Sequence, residues 1–145
     1  MVRSDEFFSL ILELEGDFSD RCADANYSRK YGINQSTLNR FNLKHNLPME
    51  RIESLDKIKA EDVFLEFFYL PIKSVSNPEM HFNLIDQYYT VGASVYNNSF
   101  KEMTEFLSKN YTVDRLYEWR LKAPTFNNEL LIERIEKIKS YFRQR

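Results

Sequence analysis

The chain has 145 residues, 22 of them acidic and 20 basic, for a net charge of -2. That length favours one domain able to bury roughly 68–70% of its unfolded surface without a disulfide or metal staple, and the near balance of charge gives no reason to expect nucleic acid as a partner. Three Gly and four Pro beside nine Tyr and twelve Phe leave too few turn residues for a β-sandwich and favour a mainly α chain.

In chain order, Ser4 is placed to cap a first helix whose Asp5 and Glu6 suit its positive end, with Phe7, Ile11 and Leu14 at helical spacing and Gly16 as the stop. Asp17 to Lys30 has no sustained period and reads as an irregular loop or a poor hairpin. Asn34 is the expected cap of a short helix reaching about Lys44. The run Val63 to Leu70 reads as a buried helix ended by Pro71, with strand as the rival. Asn77-Pro78 is a helix start aimed towards Gly92, because a cap residue precedes the one position where proline helps. Ser99 and Glu102 form a capping box, and Thr112 caps a further short helix. Leu131, Ile135, Ile138 and Phe142 mark a last helix beginning near Asn127, with Lys137, Lys139 and Arg143 suited to its negative end.

Charge is uneven along this order. Residues 1–24 carry seven carboxylates against Arg3 and Arg21, whereas residues 115–145 carry eight basic side chains against four acidic ones. Solvated helix faces explain this, as does an acidic site near one end with an anion-facing surface near the other. Cys22 is the one cysteine, and with only His45 and His81 no zinc set can be written, so neither a metal nor another cofactor is expected. The N-terminus lacks a cationic stretch followed by a long apolar core, and apolar runs fall far short of the roughly 20 residues that cross a bilayer. The expectation is a chain without membrane insertion or signal peptide, cytoplasmic when made.

Glu15 is the first candidate for chemistry. At the C-terminal end of a helix the macrodipole disfavours a negative charge and pushes a carboxyl towards its protonated form, as a general acid requires. Gly16 can turn the chain there and present the carboxyl at the start of a loop, although a surface Glu before a C-cap glycine has the same pattern. Glu13 lacks such a turn and is expected in solvent. Asp17, Asp20 and Asp24 supply candidates for the second carboxylate that glycosidic cleavage commonly uses. A calcium loop is disfavoured by the missing central glycine and closing Glu. Glycines at 16, 32 and 92 alone allow no nucleophile elbow, phosphate loop or dinucleotide fingerprint. Tyr27, Tyr31, Tyr88, Tyr89, Tyr96 and Trp119 could stack on sugars, but aromatics in a helical chain are usually core.

Glu15-Gly16-Asp17-Phe18, then Asp24, then Tyr31-Gly32-Ile33 resembles the N-terminal signature of the family 108 glycoside hydrolases, N-acetylmuramidases of the lysozyme-like superfamily, whose pattern runs E-G-G-Y, D-P-G-G, T-N-x-G-I. Phe68 to Ile72 is similar to the family's Y-W-x-P-I stretch, and Asp86 to Gly92 stands where it has D-x-x-x-N-x-G. Thr125 to Asn128 leading to Arg134-Ile135 is similar to its F-x-x-G-W-x-x-R-[VI] segment. All three glycines fall on family glycine positions, and the resemblance extends from about residue 7 to residue 142.

The resemblance implies a compact lysozyme-like helical domain with an irregular loop or small hairpin after the first helix. Residues 1–75 or so would form the catalytic part and about 76–145 a helical, peptidoglycan-binding-like part. Glu15 takes the place of the general acid, Asp24 before Asp20 that of the second carboxylate, and Asp20, Arg29, Tyr31, Asp86 and Thr90 those of substrate-binding residues. The implied partner is peptidoglycan. In this chain Asp17, Asn26 and Tyr27 replace family glycines, Arg29 replaces the threonine, and Thr90 replaces the asparagine before Gly92. Arg29 is placed to pair with Glu15 or to hold the anionic lactyl or peptide groups of the wall. Two readings stay open: an active muramidase, and a non-catalytic relative that binds peptidoglycan or serves as a structural part of a phage tail, baseplate or secretion apparatus. Release by a membrane pore, delivery in a virion or a dedicated exporter would bring either to the cell wall.

Overall fold

A computed structural model describes residues 3–15, 18–19, 29–91, 112–122 and 128–144, with the backbone alone for 18, 19, 88–91 and 128. In chain order the elements are helix α1 (Arg3–Glu15), strands β1 (Phe18–Ser19), β2 (Arg29–Lys30) and β3 (Ile33–Asn34), then helices α2 (Gln35–Lys44), α3 (Lys57–Phe64), α4 (Pro78–Val91), α5 (Val113–Lys122) and α6 (Asn128–Arg143). The chain is mainly α, and it divides into two units, Met1–Ile72 and Lys73–Arg145.

In the first unit, α1 buries Phe7, Phe8, Leu10 and Ile11. Phe8 meets Phe64 at 5.4 Å between ring centroids, and Phe7 meets Tyr69 edge-on at 6.1 Å. The helix begins at Arg3, so Ser4 sits inside its first turn instead of capping it. The segment after α1 contributes β1 to a three-stranded antiparallel sheet of order β1-β2-β3, with Phe18 opposite Lys30 and Lys30 opposite Ile33. Only Tyr31 and Gly32 separate β2 from β3. Both have positive φ, 54° and 81°, the pattern of the type I′ turn whose twist matches a two-residue hairpin. Gly32 is the residue that makes this turn inexpensive.

Asn34 caps α2 as its position predicts, its Oδ1 accepting the Thr37 N–H at 2.9 Å. Asp56 caps α3 in the same way through Lys59 N–H. Gln35 ties the connection to the start of α2: its Nε2 donates to the Glu50 carbonyl and its Oε1 accepts the Ile52 N–H, both at 2.8 Å. After Phe64 the helix widens into a π turn, Leu65–Tyr69, where Leu70 N–H donates to the Leu65 carbonyl, then tightens into a 3-10 turn, Leu70–Ile72. The expected helix is therefore present, and it ends one residue past Pro71.

The second unit packs α4, α5 and α6 pairwise. Asn77 caps α4 by accepting the Met80 N–H at 3.0 Å, with Pro78 as first helical residue. Thr112 Oγ1 accepts the Arg115 N–H at 3.2 Å. Leu131, Ile135 and Ile138 of the expected α6 stripe are buried with Phe82, Ile85 and Leu116, and Phe142 lies 5.7 Å from Phe82. The Ser99–Glu102 box lies outside the described residues, as do Gly16, Asp17, Asp20, Cys22, Asp24, Asn26, Tyr27, Tyr96 and Gly92.

Candidate functional site

Glu15 is the last residue of α1, and the helix has no basic residue in its own last turn. Its cation comes instead from the sheet. Arg29, on the middle strand, donates from Nη1 to Glu15 Oε1 at 3.1 Å. The Glu15 side chain is 0% exposed and that of Arg29 is 11% exposed, so the pair is largely withdrawn from solvent. A carboxyl at a negative helix end and out of water is costly to ionise alone, and the fork of Arg29 offsets both effects. The neighbouring cation, Lys30, turns elsewhere: its Nζ donates to the Glu53 carbonyl at 2.6 Å and lies 5.6 Å from the Tyr31 ring. Glu13 is exposed.

A second polar cluster lies inside the second unit. Glu79, Asn83, Asp86 and Gln87 follow helical spacing along one face of α4, and the last three are buried. Asp86 is fully enclosed, with Oδ2 receiving Arg120 Nη2 at 2.8 Å and Oδ1 the Arg134 Nη2. Arg120, also 0% exposed, donates from Nε to Gln87 at 2.9 Å and from Nη1 to Asn83 at 2.6 Å. The Tyr117 hydroxyl donates to Glu79 at 2.7 Å and accepts from Asn83 Nδ2 at 2.9 Å. Burial alone would raise the Asp86 pKa, but the charges of Arg134 and Arg120 and their hydrogen bonds outweigh it and hold the group at about 2. Burial, with the hydrogen bond to Glu79, moves the Tyr117 phenol well above its usual range.

Of the site residues expected from sequence, the structure brings Glu15 and Arg29 together and sets Tyr31, half-buried, at the turn two residues beyond Arg29. Asp20 and Asp24 lie outside the described residues. Asp86 and Thr90 belong to α4 in the second unit, and the Asp86 carboxylate is enclosed by arginines, which gives it a helix-joining role instead of direct contact with a sugar. Sequence reading missed Arg120, Asn83, Gln87 and Tyr117. The available signal was the polar face of α4, where Glu79, Asn83, Asp86 and Gln87 recur at helical spacing.

Among the described residues, no group of three His, Cys, Asp or Glu side chains is placed to hold a metal ion. No described helix is long and apolar enough to cross a membrane. No protein-family model, curated protein or solved structure matches the chain.

Proposed function

We propose that the chain is a peptidoglycan hydrolase of the lysozyme type, an N-acetylmuramidase with Glu15 as general acid. The observation that carries this reading is the enclosed Glu15 carboxyl at the end of α1, charge-paired to the sheet that follows it. Carboxyls withdrawn from water beside a charged partner are where protein environments tune acid and base function. The order of motifs that resembles the family 108 glycoside hydrolases supports it further. In the reaction, protonated Glu15 gives its proton to the glycosidic oxygen as the bond to the sugar breaks. A second carboxylate, Asp24 before Asp20, stabilises the cationic sugar or activates the water that adds to it. The products are a free hydroxyl on one glycan and a new reducing end on the other, and Glu15 regains its proton from solvent.

A second reading is favoured by Arg29. Its guanidinium lies on the carboxyl that must meet the leaving oxygen, an arrangement suited to a non-catalytic relative that binds peptidoglycan within a phage tail, baseplate or secretion apparatus. Release of reducing ends from purified peptidoglycan separates the two. Activity in the wild type that falls by at least about 100-fold in Glu15→Gln, in line with the usual contribution of a general acid, supports the hydrolase. No release from either protein, with both sedimenting with the insoluble wall, supports the binding relative. Release that survives in Glu15→Gln refutes the role given to Glu15.

A further inference from the structure

We infer that the end of α2, the connection to α3 and the first turn of α3 form a docking surface for an anionic lipid bilayer, met from outside and not spanned. The first unit leaves four large apolar side chains in water there: Leu43 is 70% exposed, Ile58 78%, Met49 58% and Leu47 41%. Pro48, between Leu47 and Met49, is exposed as well. Single exposed apolar residues are ordinary, but a set of them rimmed by charge marks an interaction surface. Local bonding holds the set in place. Beyond the end of α2, Asn46 has a positive φ of 54°. Its N–H donates to the Leu43 carbonyl at 3.3 Å, and the Leu47 N–H donates to the Asn42 carbonyl at 2.8 Å. This is the Schellman closure of a helix, and it fixes where Leu47-Pro48-Met49 leaves the end of α2. Lys59 then ties the connection and α3 back to α2, because its Nζ pairs with Glu50 and lies 6.0 Å from the Phe41 ring centroid. Ile58 is its neighbour in the first turn of α3.

Charge selects the occupant. Three of the four apolar positions have a cation within two residues: Leu43 stands beside Lys44, Met49 just before Arg51, and Ile58 beside Lys57. All three cations are exposed. The nearby carboxylates already have partners within the chain: Glu50 meets Lys59, Glu53 meets Arg51, Asp56 accepts the Lys59 N–H, and Glu66 meets Lys44 and His45. Ion pairs as exposed as those of Lys44 and Arg51 are weak, so these cations can exchange a surface carboxylate for a lipid phosphate. A bilayer interface offers both chemistries in layers, with acyl chains beneath phosphates. Interleaved apolar and cationic side chains therefore find partners at two depths in any lateral register, the long Lys and Arg stems reaching up to the headgroups. A protein partner would have to match the same interleaving in one fixed pattern.

The test pellets the full chain with vesicles of equimolar phosphatidylglycerol and phosphatidylcholine, and with vesicles of phosphatidylcholine alone. The wild type is expected to pellet with the anionic vesicles and to leave them as salt rises, because screening shortens the reach of exposed charges. Met49→Ser combined with Ile58→Ser should lower the partition coefficient by about tenfold or more, the scale of withdrawing two apolar side chains from lipid. Lys44→Gln and Lys57→Gln should each lower it by about fivefold. Ile132→Ser removes an exposed apolar side chain from the other unit and should leave it unchanged. All of these positions are exposed, so the variants should keep the wild-type far-ultraviolet circular dichroism. No pelleting with anionic vesicles, equal pelleting with both kinds, or binding that survives Met49→Ser with Ile58→Ser overturns the inference. So does self-association of the wild type in analytical ultracentrifugation that the same pair of substitutions abolishes, since the surface then belongs to a second copy of the chain.

Discussion

Asp86 joins three helices through one carboxylate, and Asp86→Asn keeps its size while removing the charge. Protonation of Asp86 is a guide to the charge part of the loss: holding the group at about 2 instead of its ordinary 3.8 corresponds to about 2 kcal/mol of folding stability at neutral pH. Asparagine adds an N–H donor that faces the N–H donors of Arg120 and Arg134, and an unsatisfied buried donor costs about 1–3 kcal/mol. The total, about 3–5 kcal/mol, agrees with what breaking a buried ion pair usually costs. Arg134→Met deprives Asp86 of one guanidinium but leaves Arg120 in place, so it should cost clearly less. Trp119, the one tryptophan, lies on α5 beside Arg120, and its fluorescence during urea unfolding reports the second unit. A loss below about 1 kcal/mol in Asp86→Asn, or a larger loss in Arg134→Met, would refute the view that the shared carboxylate holds α4, α5 and α6 together.

Acid provides an independent check on the same group. Because the folded pKa of Asp86 is depressed, its stabilisation is fully present above the unfolded value near 4 and is lost as pH falls towards about 2. The Trp119-detected urea midpoint should therefore drop more steeply between those limits in the wild type than in Asp86→Asn, and parallel drops would rule Asp86 out as the cause. At the β2–β3 turn, Gly32→Ala forces a β-carbon onto a residue with φ of 81° and should cost about 1–2 kcal/mol, read from urea unfolding followed by far-ultraviolet circular dichroism. A change within 0.3 kcal/mol or so, the usual size of a neutral surface substitution, would mean the turn is not held in that conformation.

Much of this chain is decided within a few residues. Asn34, Asn77 and Thr112 each receive a backbone N–H three residues on, and such caps are legible because donor and acceptor are fixed by local geometry alone. The α6 stripe is legible for a similar reason, since helical periodicity puts Leu131, Ile135 and Ile138 on one face whatever that face meets. Tyr31-Gly32 pointed to a functional motif, and only the strand pairing on either side defined it as the turn of a hairpin.

The polar centres are of another kind. Glu15 meets Arg29 across 14 positions, and Asp86 meets Arg120 and Arg134 across 34 and 48. The sequence alone determined that Glu15 ends a helix and that Asp86 lies within another. Which cation reaches each carboxylate was decided by tertiary structure, because buried charge is tolerated only where packing excludes water and brings a partner of opposite sign to the same point.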